Sequence, residues 1–231
     1  MGQTVAITGK DGGFGGYLAA PESGMGPGVV VIQEIFGIND VMRRQADRLA
    51  ALGYFALAPD LFWRLQPGIQ LTDKTDAEWQ KAFGLMKQFN ADTGVDDIQA
   101  AITHLRGLTG VTQKVGAVGW CLGGLLAYLT AARTDSDASV GYYGVNIQDH
   151  LAEAANIKKP LMLHIAEQDG FCTPAAREQV VAGLMGNPLA TLNIYPGVDH
   201  AFARPGGKNF NAEAAQLADA RTDLFFRRHL V

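Results

Sequence analysis

The sequence has little of what marks secreted, nucleic-acid-binding or membrane-spanning proteins. Its 231 residues include only two cysteines, too few for a disulfide framework, so we expect free thiols and a cytoplasmic location. The formal net charge of −4 argues against the basic surface of a nucleic-acid-binding protein. No apolar run approaches the roughly 20 residues of a membrane span, and the first residues do not resemble a signal peptide. We therefore expect neither a nucleic-acid nor a membrane partner.

The sequence also lacks the paired spacings of metal and phosphate sites. Neither a His-x-x-x-His nor a Cys-x-x-Cys pair occurs, so we expect no metal. The glycine-rich segment 9–16 contains no Gly-Lys-Ser/Thr and lies between two predicted strands, whereas a phosphate loop opens a helix. The sequence thus predicts no metal and no cofactor.

What the sequence does contain is an alternation of short apolar runs with segments of helical periodicity. Continuous apolar runs such as 28–33 are typical of strands buried on both faces of a parallel sheet. The pattern predicts one domain over residues 1–231, of the α/β class, with a mostly parallel sheet, helices on both faces and an N-terminal hairpin. Predicted strands are 4–7, 17–20, 28–33, 54–58, 115–118, 139–144, 161–165 and 191–195, and predicted helices are 41–52, 76–89, 95–105, 125–133, 149–155, 174–185 and 211–230.

The most informative stretch is residues 119–123, Gly-Trp-Cys-Leu-Gly, which joins a predicted strand to a predicted helix. The form Gly-x-nucleophile-x-Gly in this context indicates a nucleophile elbow, here with Cys121 where serine is commoner. The turn holds the sulfur at the carboxyl edge of the sheet, near a helix N-terminus that stabilises a thiolate. The backbone N–H of Leu122 is then free to receive an oxyanion. The alternative is a buried cysteine in a tight turn.

Three polar residues follow other predicted strands: Glu34, Asp169 and His200. The order of nucleophile, acid and histidine is that of the α/β-hydrolase fold. In this interpretation Cys121 attacks an acyl carbon, His200 transfers protons, and Asp169 orients the imidazole. Singly, Asp169 is explained as a turn residue and His200 as a solvated one. Their joint arrival in the right order favours a catalytic triad.

The remaining polar candidates are less specific. Glu34 either takes the proton of the thiol or is a solvated loop residue, and the residues alone leave both readings open. The backbone N–H of Ile35 is the natural second oxyanion donor. Cys172 is expected to pack rather than to form a disulfide with the nucleophile, and His164, inside an apolar strand, is expected to be a core histidine.

Six segments together resemble the dienelactone hydrolase family: Gln33-Glu-Ile-Phe-Gly37, Ala58-Pro-Asp-Leu61, Gly119-Trp-Cys-Leu-Gly-Gly124, Gly141-Tyr-Tyr-Gly144, Gln168-Asp169 and His200-Ala-Phe-Ala-Arg204. The resemblance covers nearly the whole chain. It implies a cytoplasmic, cofactor-free, monomeric hydrolase of a small-molecule substrate. That substrate class is the dienelactones, cyclic enol esters formed in the breakdown of (chloro)aromatic compounds. It further implies that the cysteine is the nucleophile and that Glu34 helps create the thiolate when substrate arrives.

The resemblance also implies substrate-binding residues. Arg204 matches an arginine that binds the carboxylate of the substrate, a task that suits the guanidinium fork. The family has a second such arginine in the helix corresponding to 76–89, but this sequence has no arginine between positions 64 and 106, and Trp79 falls near that place. Phe36 and Tyr142 are further expected substrate contacts. The serine that usually follows the histidine is replaced by Ala201, so the expected pocket is less polar than in the family.

The sequence therefore predicts a cysteine-dependent hydrolase of small esters or lactones, of the type that opens a dienelactone to maleylacetate through a thioester. Two alternatives remain. One is an esterase or thioesterase for a bulkier, uncharged ester. The other is a non-catalytic binding protein on the same fold, because a fold alone does not establish activity.

Overall fold

A single eight-stranded sheet forms the centre of the molecule in the computed structural model, which describes residues 2–231. The strands lie in the order β1-β2-β4-β3-β5-β6-β7-β8. Both junctions of β2, with β1 and with β4, are antiparallel, and every other pairing is parallel. Their bounds are β1 Gln3–Gly9, β2 Gly12–Ala19, β3 Gly26–Ile32, β4 Phe55–Pro59, β5 Val111–Trp120, β6 Ser139–Tyr142, β7 Leu161–Ala166 and β8 Ala190–Tyr195. The predicted hairpin and mostly parallel sheet are confirmed.

Helices cover the sheet on both faces, which explains why all seven residues of β3 are buried. Their bounds are α1 Asp40–Ala51, α2 Asp76–Gln88, α3 Ala91–Arg106, α4 Leu122–Arg133, α5 Pro174–Leu184 and α6 Ala212–Leu230, with a 3-10 helix at Ile147–Asn156. Within residues 2–231, no helix combines the length and hydrophobicity needed to cross a bilayer.

Some predicted helix bounds are wrong, and a side-chain cap explains one of them. The sequence predicts a helix from residue 95, but α3 begins at Ala91, because the side chain of Asn90 accepts the backbone N–H groups of Asp92 and Thr93. The sequence predicts a helix from residue 125, but α4 begins at Leu122, immediately after the elbow. The predicted helical segment 149–155 is a 3-10 helix, whose i→i+3 bonds give a tighter coil.

The centre of the sheet positions the elbow. Strand β5 lies between β3 and β6, both parallel to it, so three carboxyl ends meet at one edge. β5 ends at Trp120, and α4 begins two residues later. Ten of the twelve residues of α4 are buried, so the helix that follows the elbow is anchored in the core. The nucleophile candidate thus stands between a central strand and a buried helix.

Candidate active site

Cys121 occupies a strained backbone turn. Its φ is 57° and its ψ is −115°, a conformation that L-residues adopt only where the surroundings impose it. The flanking glycines are required by close packing. A Cβ at Gly119 would lie 2.0 Å from the carbonyl oxygen of Gly123, and a Cβ at Gly123 would lie 2.4 Å from the carbonyl oxygen of Ile32. Leu122 begins α4, so its N–H belongs to the first helical turn, where no intrahelical acceptor exists.

His200 and Asp169 form a buried pair in the loops after β8 and β7. Nδ1 of His200 lies 3.0 Å from each carboxylate oxygen of Asp169, and both residues are buried. Oδ1 of Asp169 also accepts the backbone N–H of Phe171 at 2.8 Å and of Cys172 at 3.2 Å. The carboxylate is therefore fixed by its own loop, and it in turn fixes the orientation of the imidazole.

The electrostatic environment favours the charged form of His200. Burial lowers the pKa of the imidazole, but the charge of Cys121 and the hydrogen bond with Asp169 outweigh burial and raise it to about 10. Cys121 is itself buried and lines the same cavity as His200. An imidazolium at this place is suited to stabilise a thiolate and to hand a proton to a leaving group.

A second buried ion pair joins Glu34 and Arg204. Nε of Arg204 donates to Oε2 of Glu34, and Nη2 donates to Oε1, both at 2.8 Å. A third hydrogen bond runs from Nη1 of Arg204 to Oδ2 of Asp73 at 3.3 Å. Burial lowers the pKa of Arg204, but the charge and hydrogen bonds of Glu34 outweigh it, so the net shift is upward. In this structure both oxygens of Glu34 face the guanidinium.

A cavity of about 200 Å³ is lined by one member of each pair, His200 and Arg204. Five of the sequence-predicted residues line it: Ile35, Trp79, Cys121, His200 and Arg204. Five further residues, which sequence reasoning missed, line it as well: Phe83, Met86, Val145, Asn146 and Phe171. The spacing of Trp79, Phe83 and Met86 at i, i+4 and i+7 on α2 is the signal that marks one face of a helix, but nothing local shows that this face meets the elbow.

Aromatic rings continue from the cavity to the surface. Trp79 contacts Phe83 with ring centroids 5.4 Å apart, Phe83 contacts Phe171 at 6.2 Å, and Phe171 contacts His200 at 4.8 Å. Phe83 and Phe171 are exposed. The entrance to the cavity is therefore apolar.

The structure does not bring Phe36 and Tyr142 into the cavity, although the sequence predicts both as substrate contacts. Phe36 is buried beneath the site, 5.0 Å from the ring of Trp79 and 5.0 Å from the guanidinium carbon of Arg204. Tyr142 is the last residue of β6, and its hydroxyl bonds to Asp219 at 2.9 Å, which directs the ring into the core. These placements favour a supporting role for both residues.

The other chemistry-bearing residues lie outside the cavity. His164 is fully buried, with Nδ1 2.8 Å from the hydroxyl of Tyr195 and Nε2 2.9 Å from that of Thr222, as expected of a core histidine. Cys121 and Cys172 are free thiols. Burial raises the pKa of the Cys172 thiol. Over residues 2–231, no three His, Cys, Asp or Glu side chains are grouped to hold a metal ion.

Comparisons with known proteins assign the chain to a family. The family model of the dienelactone hydrolase family matches residues 14–230. The chain is 50% identical over 230 residues to a protein of Azospirillum brasilense whose name assigns it provisionally as a carboxymethylenebutenolidase, covering 96% of each chain. It is 38% identical over 219 residues to carboxymethylenebutenolidase 1 of Cupriavidus pinatubonensis, covering 94% of this chain and 93% of that protein.

Solved structures give the same fold. A crystal structure of a dienelactone hydrolase from Anabaena variabilis superposes with a TM-score of 0.73 at 19% identity, over 100% of this chain and 99% of that one. The esterase Pf2001 of Pyrococcus furiosus superposes with a TM-score of 0.74 at 17% identity, over 100% and 94%. At these identities the likeness concerns the fold, whereas the family model and the curated relatives cover nearly the whole sequence. The chain therefore belongs to the dienelactone hydrolase family.

Proposed function

We propose that the protein hydrolyses small esters or lactones with Cys121 as nucleophile, in the manner of the ring opening of a dienelactone to a maleylacetate. The observation that carries this proposal is the buried Asp169–His200 pair, whose imidazole lines one cavity with a cysteine held on a strained elbow. The carboxymethylenebutenolidase names of the relatives support a lactone as the substrate. The domain over residues 1–231 is proposed to act as a single unit.

The reaction follows the order of the triad. Sγ of Cys121 attacks the acyl carbon, and the electron pair of the carbonyl moves to its oxygen, which we expect to accept hydrogen bonds from the N–H groups of Leu122 and Ile35. The intermediate collapses to a thioester, and the departing alcohol oxygen takes a proton from His200. Water then attacks the thioester, gives a proton to His200, and releases the acid. In a lactone the alcohol and the acid remain one molecule.

Glu34 is proposed to assist ionisation of Cys121, the role that the family resemblance implies. Because both of its oxygens accept hydrogen bonds from Arg204, uptake of a proton by the carboxylate would remove its charge and weaken this ion pair. Arrival of a substrate beside Arg204 is an event that can loosen this pair.

The size of the cavity bears on the alternative of a bulkier ester. Pockets for drug-sized ligands measure roughly 300–1,000 Å³, whereas this cavity measures about 200 Å³. The volume favours a substrate of one ring or a short chain. A long acyl chain would have to extend past Phe83 and Phe171 into solvent.

The experiment compares the two cysteines. We expect Cys121→Ala to reduce hydrolysis of phenyl acetate by roughly 10,000-fold or more, since removal of a triad nucleophile eliminates covalent catalysis. Cys172→Ala, which removes the other thiol, is expected to stay within about twofold of the native rate. Intact-mass spectrometry after rapid acid quench should show one acyl group on the native chain and none on Cys121→Ala. An active Cys121→Ala protein would refute the proposal.

A further inference from the structure

The hydroxyl group of Tyr143 is buried and makes no hydrogen bond. Tyr143 is 2% exposed, and within residues 2–231 its hydroxyl oxygen has no partner. The neighbouring Tyr142 differs, because its hydroxyl lies 2.9 Å from Oδ1 of Asp219 and 2.7 Å from the hydroxyl of Thr222. A buried hydroxyl without a partner costs free energy, so the folded state gains nothing from this group of Tyr143.

The backbone holds Tyr143 directly against the elbow. Its φ of 37° lies in the left-handed region, which is unfavourable for a bulky side chain and persists only where the surroundings impose it. The carbonyl oxygen of Tyr142 accepts the backbone N–H of Cys121 at 3.1 Å. On the other side, a Cβ at Gly124 would lie 2.7 Å from Cα of Gly144. Both neighbours of Tyr143 in the chain are therefore packed against the turn that carries the nucleophile.

The side chain of Tyr143 lies among the polar groups of the site. Its ring meets the imidazole of His200 edge to face, with ring centroids 5.0 Å apart. Burial raises the pKa of Tyr143 well above its ordinary value, and the charge of Glu34 is the largest electrostatic influence on it, followed by the charges of Arg204 and Cys121. The hydroxyl is therefore un-ionised at neutral pH, and Glu34 is its strongest charged neighbour.

Glu34 lacks an acceptor for a proton that it would take up. Among the residues that the structure describes, its carboxylate has hydrogen bonds only from Arg204. A guanidinium donates and cannot accept, whereas a protonated carboxyl group is itself a donor. A tyrosine hydroxyl does both, so Tyr143 can donate to the ionised form of Glu34 and accept from the protonated form. The unused hydroxyl and the missing acceptor thus complement each other.

We propose that Tyr143 is a positioning residue for Glu34, whose hydroxyl accepts a hydrogen bond from the Glu34 carboxyl group when that group takes the proton of Cys121. In this step the S–H bond breaks and an O–H bond forms on Glu34, so the negative charge passes from the carboxylate to the sulfur. Tyr143 keeps its own proton throughout. The inference rests on the proposed function, because it concerns the proton that the nucleophile loses.

The first test removes the hydroxyl alone. In Tyr143→Phe we expect kcat/KM for phenyl acetate at pH 7 to fall about tenfold. The free energy of unfolding should not fall, because the deleted group has no partner. A variant with unchanged stability and a kcat/KM within about twofold of the native value would overturn the inference.

Tyr54→Phe is the matched control. Tyr54 is also 2% exposed, and its hydroxyl likewise has no partner within residues 2–231. It precedes β4 and so lies at the amino end of the sheet, opposite the elbow. Its kcat/KM should stay within about twofold of the native value. A loss in Tyr54→Phe equal to that in Tyr143→Phe would refute a role specific to the site.

The other charged groups near Glu34 keep their charges between pH 7 and about pH 9. His200 has a pKa of about 10. Burial lowers the pKa of Arg204, but its pair with Glu34 outweighs burial. Burial raises the pKa of Asp73, but Lys74 and Arg204 together lower it below its ordinary value. A change of activity over this range therefore reports chiefly on the thiol.

The second test is the pH profile of Tyr143→Phe. At about pH 9 a thiol loses its proton to solvent and needs no carboxylate to take it. We therefore expect the deficit in kcat/KM to shrink from about tenfold at pH 7 to below about threefold at pH 9. A loss caused by altered packing alone would be the same at both values. A constant deficit would refute the role of Tyr143 in the proton transfer.

The third test asks whether Tyr143 acts through Glu34. Glutamine at position 34 cannot take the proton, so adding Tyr143→Phe to Glu34→Gln should lower kcat/KM by less than about threefold further, against about tenfold in the native protein. A full further loss would show that the hydroxyl acts elsewhere. A poorly folded Glu34→Gln protein leaves the pH profile of the single variant decisive.

Cys121→Ala separates this inference from the proposed function. If hydrolysis of phenyl acetate depends on Cys121 but Tyr143→Phe stays within about twofold of the native rate, the inference fails and the proposed function stands. If hydrolysis survives Cys121→Ala, the proposed function fails and the inference fails with it.

Discussion

His164 and His200 are two buried imidazoles in one molecule, and their pKa values move in opposite directions. His164 lies within β7, bonded to two neutral hydroxyls, and burial followed by the charge of Arg221 lowers its pKa to about 3. Burial also lowers the pKa of His200, but Cys121 and Asp169 raise it to about 10. Both side chains are almost inaccessible to solvent.

The difference shows that burial by itself does not make a histidine catalytic. Desolvation disfavours the imidazolium at both positions, and only a neighbouring anion reverses the effect. For His200 this anion is Asp169, which lies in the loop after β7, whereas His200 itself lies in the loop after β8. The carboxyl edge of the sheet brings such loops together, whereas a position inside β7 is surrounded by the core and by α6. Location relative to the strand end thus decides which histidine lies beside an anion.

The largest effect is expected from removing the negative charge beside His200. In Asp169→Asn the amide cannot supply a charge and can stabilise the wrong imidazole tautomer, so we expect kcat to fall by about 1,000-fold or more. NMR titration should show a lower pKa for His200 and an unchanged pKa for His164. A loss below about tenfold, with the His200 titration unmoved, would break the comparison.

The next effect concerns His164 and the pH dependence of stability. Because its folded pKa is depressed, the unfolded chain takes up a proton as pH falls below 6.5 while the folded chain does not. Stability from this residue is therefore present above 6.5 and is lost on acidification, by about 2 kcal/mol between pH 6.5 and about 5. Urea unfolding should show this slope in the native protein and lose it in His164→Gln. His150→Gln, a half-buried surface change, should keep it.

The smallest effect is expected from removing one hydrogen bond of His164. Tyr195→Phe deletes the hydroxyl 2.8 Å from Nδ1 and keeps the ring, so the free energy of unfolding should fall by about 1 kcal/mol. kcat/KM should stay within about twofold, because the hydroxyl serves the core. Denaturant unfolding and ester hydrolysis measure the two quantities. A tenfold loss of kcat/KM at unchanged stability would show that the two histidines are coupled.

The fold was predictable where the signal is local. Apolar runs, the glycines of the elbow and the alternation of strands with helices specify a parallel sheet, and the sheet then gathers residues 34, 121, 169 and 200 at one edge. Prediction failed where a local pattern ends. A strand over 139–144 is predicted, but β6 stops at Tyr142, and Tyr143 takes a left-handed φ of 37°. The alternation of side-chain directions is lost at that point, so the sequence does not show which tyrosine faces which side.

The gathering of Cys121, Asp169 and His200 at one edge of the sheet was predictable from the sequence, and the walls of the cavity were less so. Cys121, Asp169 and His200 follow strands directly, so their convergence depends only on topology. The contact of Asp73 with Arg204 joins positions 131 residues apart through a loop, and no periodicity signals it. Phe171 and the cavity face of α2 likewise depend on how loops pack over the sheet. Loop packing is a tertiary property that single-sequence patterns do not encode.

Three residues of helix α2 line the cavity: Trp79, Phe83 and Met86. Only Ala82 and Leu85 of this helix are buried in the core. The sheet and the elbow take no hydrogen bonds from it, so most of its positions are free to vary without cost to folding. Divergence of substrate range among relatives should accordingly concentrate on this one segment. A laboratory library confined to positions 79, 83 and 86 would explore new substrates while the reactive centre stays intact.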